Sequence, residues 1–301
     1  DLLSTDEDTS LPLDLLDNDD DADLDQVTIT EVRDSSGTPV PFGTPTALPE
    51  GGTLTIAADG TGVFDPSGAF ERLAEGASLT PAITLSYDVT DGQAGSDSAT
   101  VTIDVAGGND APTLVDGTGT ATEDGAEVGI DLAALADDPD DGESGATLSY
   151  AITAQPAEGA ASLAADGTTL LFDPGAAFQD LPQGETRDVV VGVQATDGVG
   201  ATSTVQAVTV TVTGVNDSPV FTSPAAFSVA ENTTQVGQVA ATDADLSDSL
   251  SYSISGGDDS AFFSLDAAGT LSFTTAPDFE APGDQGGDNV YEVEEIGRAH
   301  V

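Results

Sequence analysis

Short acidic steps recur along this chain at regular spacing, and their oxygen atoms are the type that binds a hard divalent cation. A Glu-Asp or Glu-Asn step opens each of three stretches, as Glu7-Asp8, Glu123-Asp124 and Glu231-Asn232. An Asp-x-Asp step follows 12 to 15 residues later, as Asp21-Ala22-Asp23, Asp138-Pro139-Asp140 and Asp243-Ala244-Asp245. Two Asn-Asp steps, Asn109-Asp110 and Asn216-Asp217, separate these stretches.

The chemistry these steps suggest is calcium binding. A calcium ion takes about six to eight oxygen ligands at roughly 2.3–2.6 Å, more than one strand end supplies. A junction that combines an early acid of one unit, the Asn-Asp step and the Asp-x-Asp step of the next unit does supply them. Binding would turn repulsion among carboxylates into attraction and fix the angle between the units. The Pro two residues after each Asn-Asp step's aspartate restricts the linker backbone further.

A tandem repeat places these steps at equivalent positions. Asn109-Asp110-Ala111-Pro112 returns 107 residues later as Asn216-Asp217-Ser218-Pro219, and Phe64-Asp65-Pro66 returns as Phe172-Asp173-Pro174. We therefore predict three units, at 1–109, 110–216 and 217–295, with the first clipped at its N-terminus. The third is shorter than a full unit, so we expect it to lack its final strand or strands and to expose a sheet edge.

The last six residues, 296–301, are expected to be foreign to the fold. Ile296-Gly297-Arg298-Ala299-His300-Val301 back-translates to ATCGGAAGAGCACACGTC, which resembles a common sequencing-adapter read. We interpret this segment as a scar to be excluded from fold reasoning. His300 is the only histidine of the chain.

The elements that must position the acids are predicted to be β-strands. Val208-Thr209-Val210-Thr211-Val212-Thr213 alternates apolar and hydroxyl side chains, which places the valines on one face of a strand. Similar short runs occur at 27–32, 54–56, 82–89, 99–105, 148–152, 189–193, 250–254 and 271–273, and a further strand is predicted to begin at 290–293. One brief helical turn is predicted at 131–136. The pattern indicates an all-β chain of tandem antiparallel β-sandwiches.

Composition excludes several classes of function. The 301 residues contain 55 acids and four arginines, for a formal net charge of −51, so nucleic acids and anionic membranes are not expected as direct partners. The same acidity has a plainer interpretation as a solvated surface suited to high salt. There is no cysteine to form a disulfide. No apolar run is long enough to span a bilayer and no signal peptide is present, and the start at Asp1 suggests an internal piece of a longer protein.

Motifs in all three units resemble the cadherin superfamily and its bacterial cadherin-like and VCBS-type repeats, which implies that the tandem antiparallel β-sandwiches are Ig-like or cadherin-like. The third unit carries Phe227-Ser228-Val229-Ala230-Glu231-Asn232, Ala241-Thr242-Asp243-Ala244-Asp245 and Pro277-Asp278-Phe279-Glu280. The middle unit looks more VCBS-like, with Ala195-Thr196-Asp197-Gly198 leading into Val210-Thr211-Val212-Thr213-Gly214-Val215-Asn216-Asp217. The first, with Asp6-Glu7-Asp8-Thr9, is similar to cadherin-like repeats of large bacterial surface proteins.

This resemblance implies a set of calcium ligands. Those implied for the first junction are Glu7, Asn109, Asp110, Asp138 and Asp140; those for the second are Glu123, Asn216, Asp217, Asp243 and Asp245; and Glu231, Asp278 and Glu280 would face a third. The middle unit departs from the pattern, because Ala177-Phe178-Gln179 stands where the third has Asp278-Phe279-Glu280, and the first unit keeps only Glu71. We therefore expect one weaker ion at each junction instead of a complete multi-ion site.

The resemblance and the repeat together predict a non-enzymatic role outside the cell, as calcium-stiffened stalk repeats of a bacterial surface adhesin, with neighbouring repeats as partners. Two alternatives stay open: repeats that themselves adhere to like repeats or to glycans, and spacers of a giant secreted enzyme. Sharper chemistries fail on residue content. A Ser/His/Asp triad lacks a histidine within the units, and the Asp17 and Asp19 stretches lack the Gly and Glu of an EF-hand loop.

Overall fold

A computed structural model describes residues 1–246 and 249–300, and for residues 296–300 it describes the backbone alone. Within these ranges the regular structure consists of β-strands and two single-turn 3-10 segments, Ala133–Leu135 and Ser260–Phe262. The first segment lies inside the helical turn predicted at 131–136. The all-β class predicted from the sequence pattern is confirmed.

The N-terminal β-sandwich consists of eight strands. They are β1 (Leu2–Asp6), β2 (Leu11–Asp14), β3 (Thr28–Arg33), β4 (Thr46–Ala47), β5 (Thr53–Ile56), β6 (Thr61–Asp65), β7 (Ile83–Thr90) and β8 (Ser96–Ala106). One sheet has the order β1-β8-β7-β3 and the other has the order β2-β6-β5-β4. The two inner faces form one hydrophobic cluster between the sheets.

Strict alternation along the longest strands produces this core. Val101, Ile103 and Val105 of β8 are buried, and Thr102 and Asp104 between them face the opposite side of the sheet. Ile83 of β7 pairs with Ile103 in the antiparallel register, so both sit on the same inner face. The predicted strand at 99–105 is therefore confirmed, and it extends further than predicted.

The second β-sandwich repeats this plan with nine strands. They are β9 (Thr113–Leu114), β10 (Gly117–Thr122), β11 (Val128–Asp131), β12 (Ala136–Asp137), β13 (Ser149–Ala154), β14 (Ala160–Leu163), β15 (Thr169–Asp173), β16 (Thr186–Thr196) and β17 (Gln206–Thr213). The main sheets have the orders β10-β17-β16-β13 and β11-β15-β14, and β12 pairs with β9. Phe172 and the buried valines of β16 and β17 fill its separate core.

One strand pair in each of these two sandwiches is parallel, which the predicted antiparallel arrangement did not include. β1 runs parallel to β8, and β10 runs parallel to β17. Sequence alternation specifies which face a side chain occupies but not the direction of the neighbouring strand. The parallel pairing has a direct consequence for the acids, because β1 and β8 end side by side at the first linker, and β10 and β17 end side by side at the second.

In the residues that the structure describes, the C-terminal unit contains seven strands and a smaller core. The strands are β18 (Val220–Phe221), β19 (Gln235–Gln238), β20 (Ala241–Thr242), β21 (Ser249–Gly256), β22 (Phe263–Leu265), β23 (Thr270–Phe273) and β24 (Glu294–His300). They form the sheets β19-β23-β22, β21-β24 and β18-β20. Its buried apolar side chains among the described residues are those of Val239, Phe263, Leu271 and Phe273.

The strand predicted to begin at 290–293 in fact begins at Glu294. The segment just before it is held by side-chain and loop contacts instead of a ladder. The Glu292 N–H donates to the Asp259 carboxylate at 2.9 Å, and the Tyr291 ring packs against Phe263 and Phe273. The apolar-polar alternation of this segment therefore reflects an aromatic anchor beside a loop.

Candidate metal sites at the junctions

The first cluster of acids forms where the N-terminal sandwich meets the linker. Since β1 and β8 end together, Glu7 lies beside the residues that follow β8. Its Oε1 accepts a 2.6 Å hydrogen bond from the Gly108 N–H, and its side chain is only 2% exposed. A buried carboxylate at this point is thus fixed directly next to Asn109 and Asp110.

The second sandwich contributes its own acids to the same cluster. The Asp110 N–H donates to Asp140 Oδ2 at 3.2 Å, and the Asp140 N–H donates to Asp138 Oδ1 at 3.1 Å. Asp138 and Asp140 are both buried. The structure therefore brings together all five residues that the sequence suggested for the first junction.

Further acids belong to this cluster that the sequence reasoning did not assign to it. The Asn109 Nδ2 donates to Asp197 Oδ2 at 2.9 Å, and the other Asp197 oxygen accepts three backbone N–H groups of the following turn. Asp8, Glu71 and Glu143 also act electrostatically on the predicted acids. Thr90-Asp91-Gly92 recurs as Thr196-Asp197-Gly198, and this repeat was a signal for Asp197, because a repeated acid marks a repeated position.

The second junction is built in the same way. Glu123 is fully buried and accepts a hydrogen bond from the Val215 N–H, as Glu7 does from Gly108. The Asp217 N–H donates to Asp245 Oδ2 at 2.9 Å, and the Asp245 N–H donates to Asp243 Oδ1 at 3.1 Å. One carboxylate oxygen each from Glu123, Asp217 and Asp245 lies within 4.8 Å of the others. Asn216 uses its amide N–H to bond the Asp217 carbonyl.

The side-chain oxygens left without a hydrogen-bond partner test whether a cation fits. In the described part of the chain, 11 buried side-chain polar atoms have no partner, and ten of them belong to the two junctions. They come from Glu7, Asn109, Asp110, Asp138, Asp140 and Glu143 at the first, and from Glu123, Asp217, Asp243 and Asp245 at the second. Buried polar atoms are normally paired, so converging hard oxygens of this kind fit a calcium ion.

Electrostatics supports the same interpretation. Burial, and secondarily the repulsion from neighbouring acids, raises the pKa of Glu7, Asp110, Glu123, Asp138, Glu143 and Asp217. Burial also acts to raise the pKa of Asp197, but the hydrogen bonds from Asn109 and the turn outweigh it and lower that pKa. The protein thus holds several carboxylates close together without any basic side chain among these contacts. A divalent cation would relieve both the burial cost and the repulsion.

The third predicted group is arranged differently. Glu231, Asp278 and Glu280 are exposed, although one oxygen from each lies within 4.8 Å of the others. The Phe279 N–H donates to Glu231 Oε2 at 3.4 Å, and the Glu280 N–H donates to Asp278 Oδ1 at 3.1 Å. The three acids come together, but without the burial seen at the two junctions.

One parallel strand pair in each of two sandwiches, sandwiches in tandem and acids at their junctions are features of tandem cadherin-like and Ig-like β-sandwich domains. Residues 1–107 match the family model of the bacterial cadherin-like domain, and residues 109–213 match that of the bacterial Ig domain. The VCBS-like character of the middle unit stays a prediction. No helix in the described ranges is long and apolar enough to cross a membrane.

Solved structures of cadherin repeats share this fold. Mouse cadherin-23 EC22-24 matches with a TM-score of 0.52 at 17% identity, over 84% of this chain and 77% of that one. Human CDH23 EC21-23 matches with a TM-score of 0.51 at 18% identity, over 99% of this chain and 96% of that one. A search of the curated proteins finds no match. At these identities the likeness concerns the fold alone.

Proposed function

We propose that this chain consists of calcium-stiffened spacer repeats from an extracellular protein of the bacterial surface. The observation that carries the proposal is the convergence of ten unpartnered buried oxygens at the two places where one sandwich meets the next. Each cluster draws its ligands from both neighbours and from the linker between them. An ion bound there ties the two sandwiches together and limits their relative motion.

The residues that would hold the ion are those already brought together. The ligands at the first junction are the carboxylates of Glu7, Asp110, Asp138 and Asp140 and the side-chain oxygen (Oδ1) of Asn109. Glu123, Asp217, Asp243 and Asp245 supply them at the second. Calcium would contribute charge neutralisation and cross-linking, and no bond is made or broken. The matched bacterial cadherin-like and Ig domains, which are structural and adhesive modules, support a mechanical role of this kind.

Thermal melting and small-angle scattering of the full chain test the proposal. We expect millimolar calcium to raise the melting temperature and the maximum particle dimension relative to EDTA, and equal magnesium to do so much less. The double variant Asp243→Ala, Asp245→Ala should lose the part of the response that belongs to the second junction. Asp59 and Asp166 are matched controls, since they sit in exposed turns and bond the following threonines.

The pair Asp59→Ala, Asp166→Ala removes the same charge and should leave the calcium response intact. An equal response to calcium, magnesium and added sodium chloride would overturn the proposal. The acids would then be a screened surface, and the repeats a flexible string of sandwiches.

A second candidate function is adhesion by the repeats themselves. It is favoured by the likeness to a protocadherin gammaB7 EC3-6 structure described as a cis-dimer, which matches with a TM-score of 0.52 at 18% identity. Beads coated with the full chain should then aggregate in calcium and disperse in EDTA. If the beads stay dispersed at every calcium concentration, adhesion by the repeats is excluded and the spacer role is the candidate that is left.

A further inference from the structure

The two junctions are built to the same plan but carry different charge. Glu7, Asp8, Asp110, Asp138 and Asp140 at the first correspond in order to Glu123, Asp124, Asp217, Asp243 and Asp245 at the second. A sixth position breaks the correspondence. Glu71, in the loop after the Phe64-Asp65-Pro66 landmark, is replaced by Gln179 in the loop after Phe172-Asp173-Pro174.

Glu71 faces the first cluster. Its carboxylate acts electrostatically on Glu7 and more strongly than any other acid on Asp110. Glu7 is nine-tenths buried with one unpartnered oxygen aimed into the cluster. Glu71 therefore adds one more carboxylate to a cluster that already contains the buried Glu7.

Gln179 faces the second cluster as a neutral group. Its Nε2 donates a 3.0 Å hydrogen bond to Asp124 Oδ1, so it partly satisfies an acid that corresponds to Asp8. Glu123 is fully buried with one unpartnered oxygen, as Glu7 is. The second junction therefore keeps the buried ligand but holds one carboxylate fewer at the six positions described at both junctions.

We infer that the two junctions bind calcium in sequence, the first at a lower concentration than the second. This inference rests on the proposed function and specifies its regulation. Protein sites tune their calcium affinity through ligand charge and rigidity. The midpoint of each junction is the calcium concentration at which it is half-saturated. One carboxylate exchanged for an amide separates the two midpoints by on the order of tenfold. Between the two midpoints the chain is stiff at the first junction and hinged at the second.

Spin-label distance measurements on paired cysteines test this inference at each junction separately. The chain has no cysteine of its own, so every label is placed by choice. Ser4→Cys with Ser149→Cys spans the first junction, and Thr120→Cys with Ser249→Cys spans the second. All four positions are exposed, and the two pairs occupy corresponding places, three residues before Glu7 or Glu123 and at the first residue of β13 or β21.

The width of each distance distribution is followed against free calcium. We expect the distance distribution across the first junction to narrow at a calcium concentration about tenfold lower than the distribution across the second. Gln179→Glu should move the second midpoint down towards the first, and Glu71→Gln should move the first midpoint up. Melts in EDTA confirm that each variant is folded.

Three results distinguish the failures. Coincident midpoints in the parent chain overturn sequential binding while leaving calcium stiffening in place. Separate midpoints that do not move when Glu71 and Gln179 are exchanged overturn the assigned cause. Distributions that stay broad at both junctions up to saturating calcium overturn the proposed function itself.

Discussion

The backbone N–H of Asp141, in the second sandwich, donates a 2.9 Å hydrogen bond to the carbonyl of Arg72, in the first. The next junction repeats the contact, since the Leu246 N–H donates to the Asp180 carbonyl at 3.3 Å. Both donors directly follow an Asp-x-Asp step, and both acceptors follow Glu71 or Gln179 by one residue. The same loops that present the acids therefore also touch across each junction, through atoms that no side-chain substitution removes.

The side chains of Arg72 and Asp141, at the first of these contacts, should contribute little to the stability of the protein. Arg72 and Asp141 form a 3.6 Å ion pair, but both side chains are more than two-thirds exposed. An exposed pair of this kind stabilises by about 0.5 kcal/mol or less. We expect Arg72→Ala to leave the calorimetric melting temperature nearly unchanged in EDTA and in calcium. A large loss of calcium response in this variant would show that the ion pair, and not the carboxylate cluster, joins the sandwiches.

Glu123→Gln should have opposite effects in the two conditions. The amide keeps the size of the buried side chain but removes its repulsion with Asp217, Asp124 and Asp245. In EDTA we expect the variant to melt at a higher temperature than the parent chain, because a desolvated charge is gone. In saturating calcium it should melt lower, because a ligand is gone. Differential scanning calorimetry in both buffers checks the crossing, and a variant that shifts in the same direction in both would contradict it.

Without calcium, mild acid should stabilise the protein. An acid whose pKa is raised on folding destabilises the folded state at pH above both its folded and unfolded pKa values, and this effect disappears as the pH falls through the folded value. Burial raises the pKa of Glu7, Asp110, Glu123 and Asp138 above their ordinary 4.5 or 3.8. The melting temperature in EDTA should therefore increase as the pH is lowered from 7 to about 5.

The same titration in saturating calcium should run the other way, because protons compete with the ion for the carboxylates. The lower pH limit of the fold's stability is set by acids whose pKa is lowered, such as Asp34, Asp91 and Asp166. They stabilise the fold above their ordinary pKa of 3.8, and that stabilisation is lost only as the pH falls below it. A melting temperature in EDTA that falls steadily from pH 7 downward would contradict the assigned burial.

Each sandwich should unfold on its own core. Phe172 is fully buried in the second cluster and Phe64 is fully buried in the first. Phe172→Ala should cost the second sandwich about 3–5 kcal/mol and leave the first unaffected, and Phe64→Ala should do the reverse. Hydrogen exchange of β7 and β16 amides reports the two sandwiches separately. Loss of protection in both strands from one substitution would show that the cores are coupled.

The sequence predicted the longest strands and, at each junction, the Glu, Asn-Asp and Asp-x-Asp residues, for identifiable physical reasons. Val208 to Thr213 alternates with period two, and only a strand places all its valines in one core. Asp138 and Asp140 were found because they stand at a repeated distance from a repeated acid. Both kinds of evidence are local in the sequence, and the local features are the ones that the structure places as expected.

What the sequence did not give depends on contacts between distant segments. Asp197 reaches the first junction only because β13 and β16 pair with Ser149 opposite Thr196, which brings the end of β16 to the linker. The parallel pairing of β1 with β8 likewise depends on the direction of a partner about a hundred residues away. Residues 290–293 alternate like a strand, yet the Glu292 N–H donates its hydrogen bond to the Asp259 carboxylate instead of to a neighbouring strand. None of these is encoded in a short window.

The three hydrophobic clusters share no residue, and the contacts described across the junctions are between polar or charged groups. A sandwich inserted into or deleted from such an array needs no complementary apolar surface on its new neighbour. On the proposed function it needs a Glu after the strand that runs parallel to its last strand, an Asn-Asp linker and an Asp-x-Asp loop. Duplication of the DNA that encodes one repeat is then enough to lengthen the protein. The number of repeats in the gene therefore determines the length of the array.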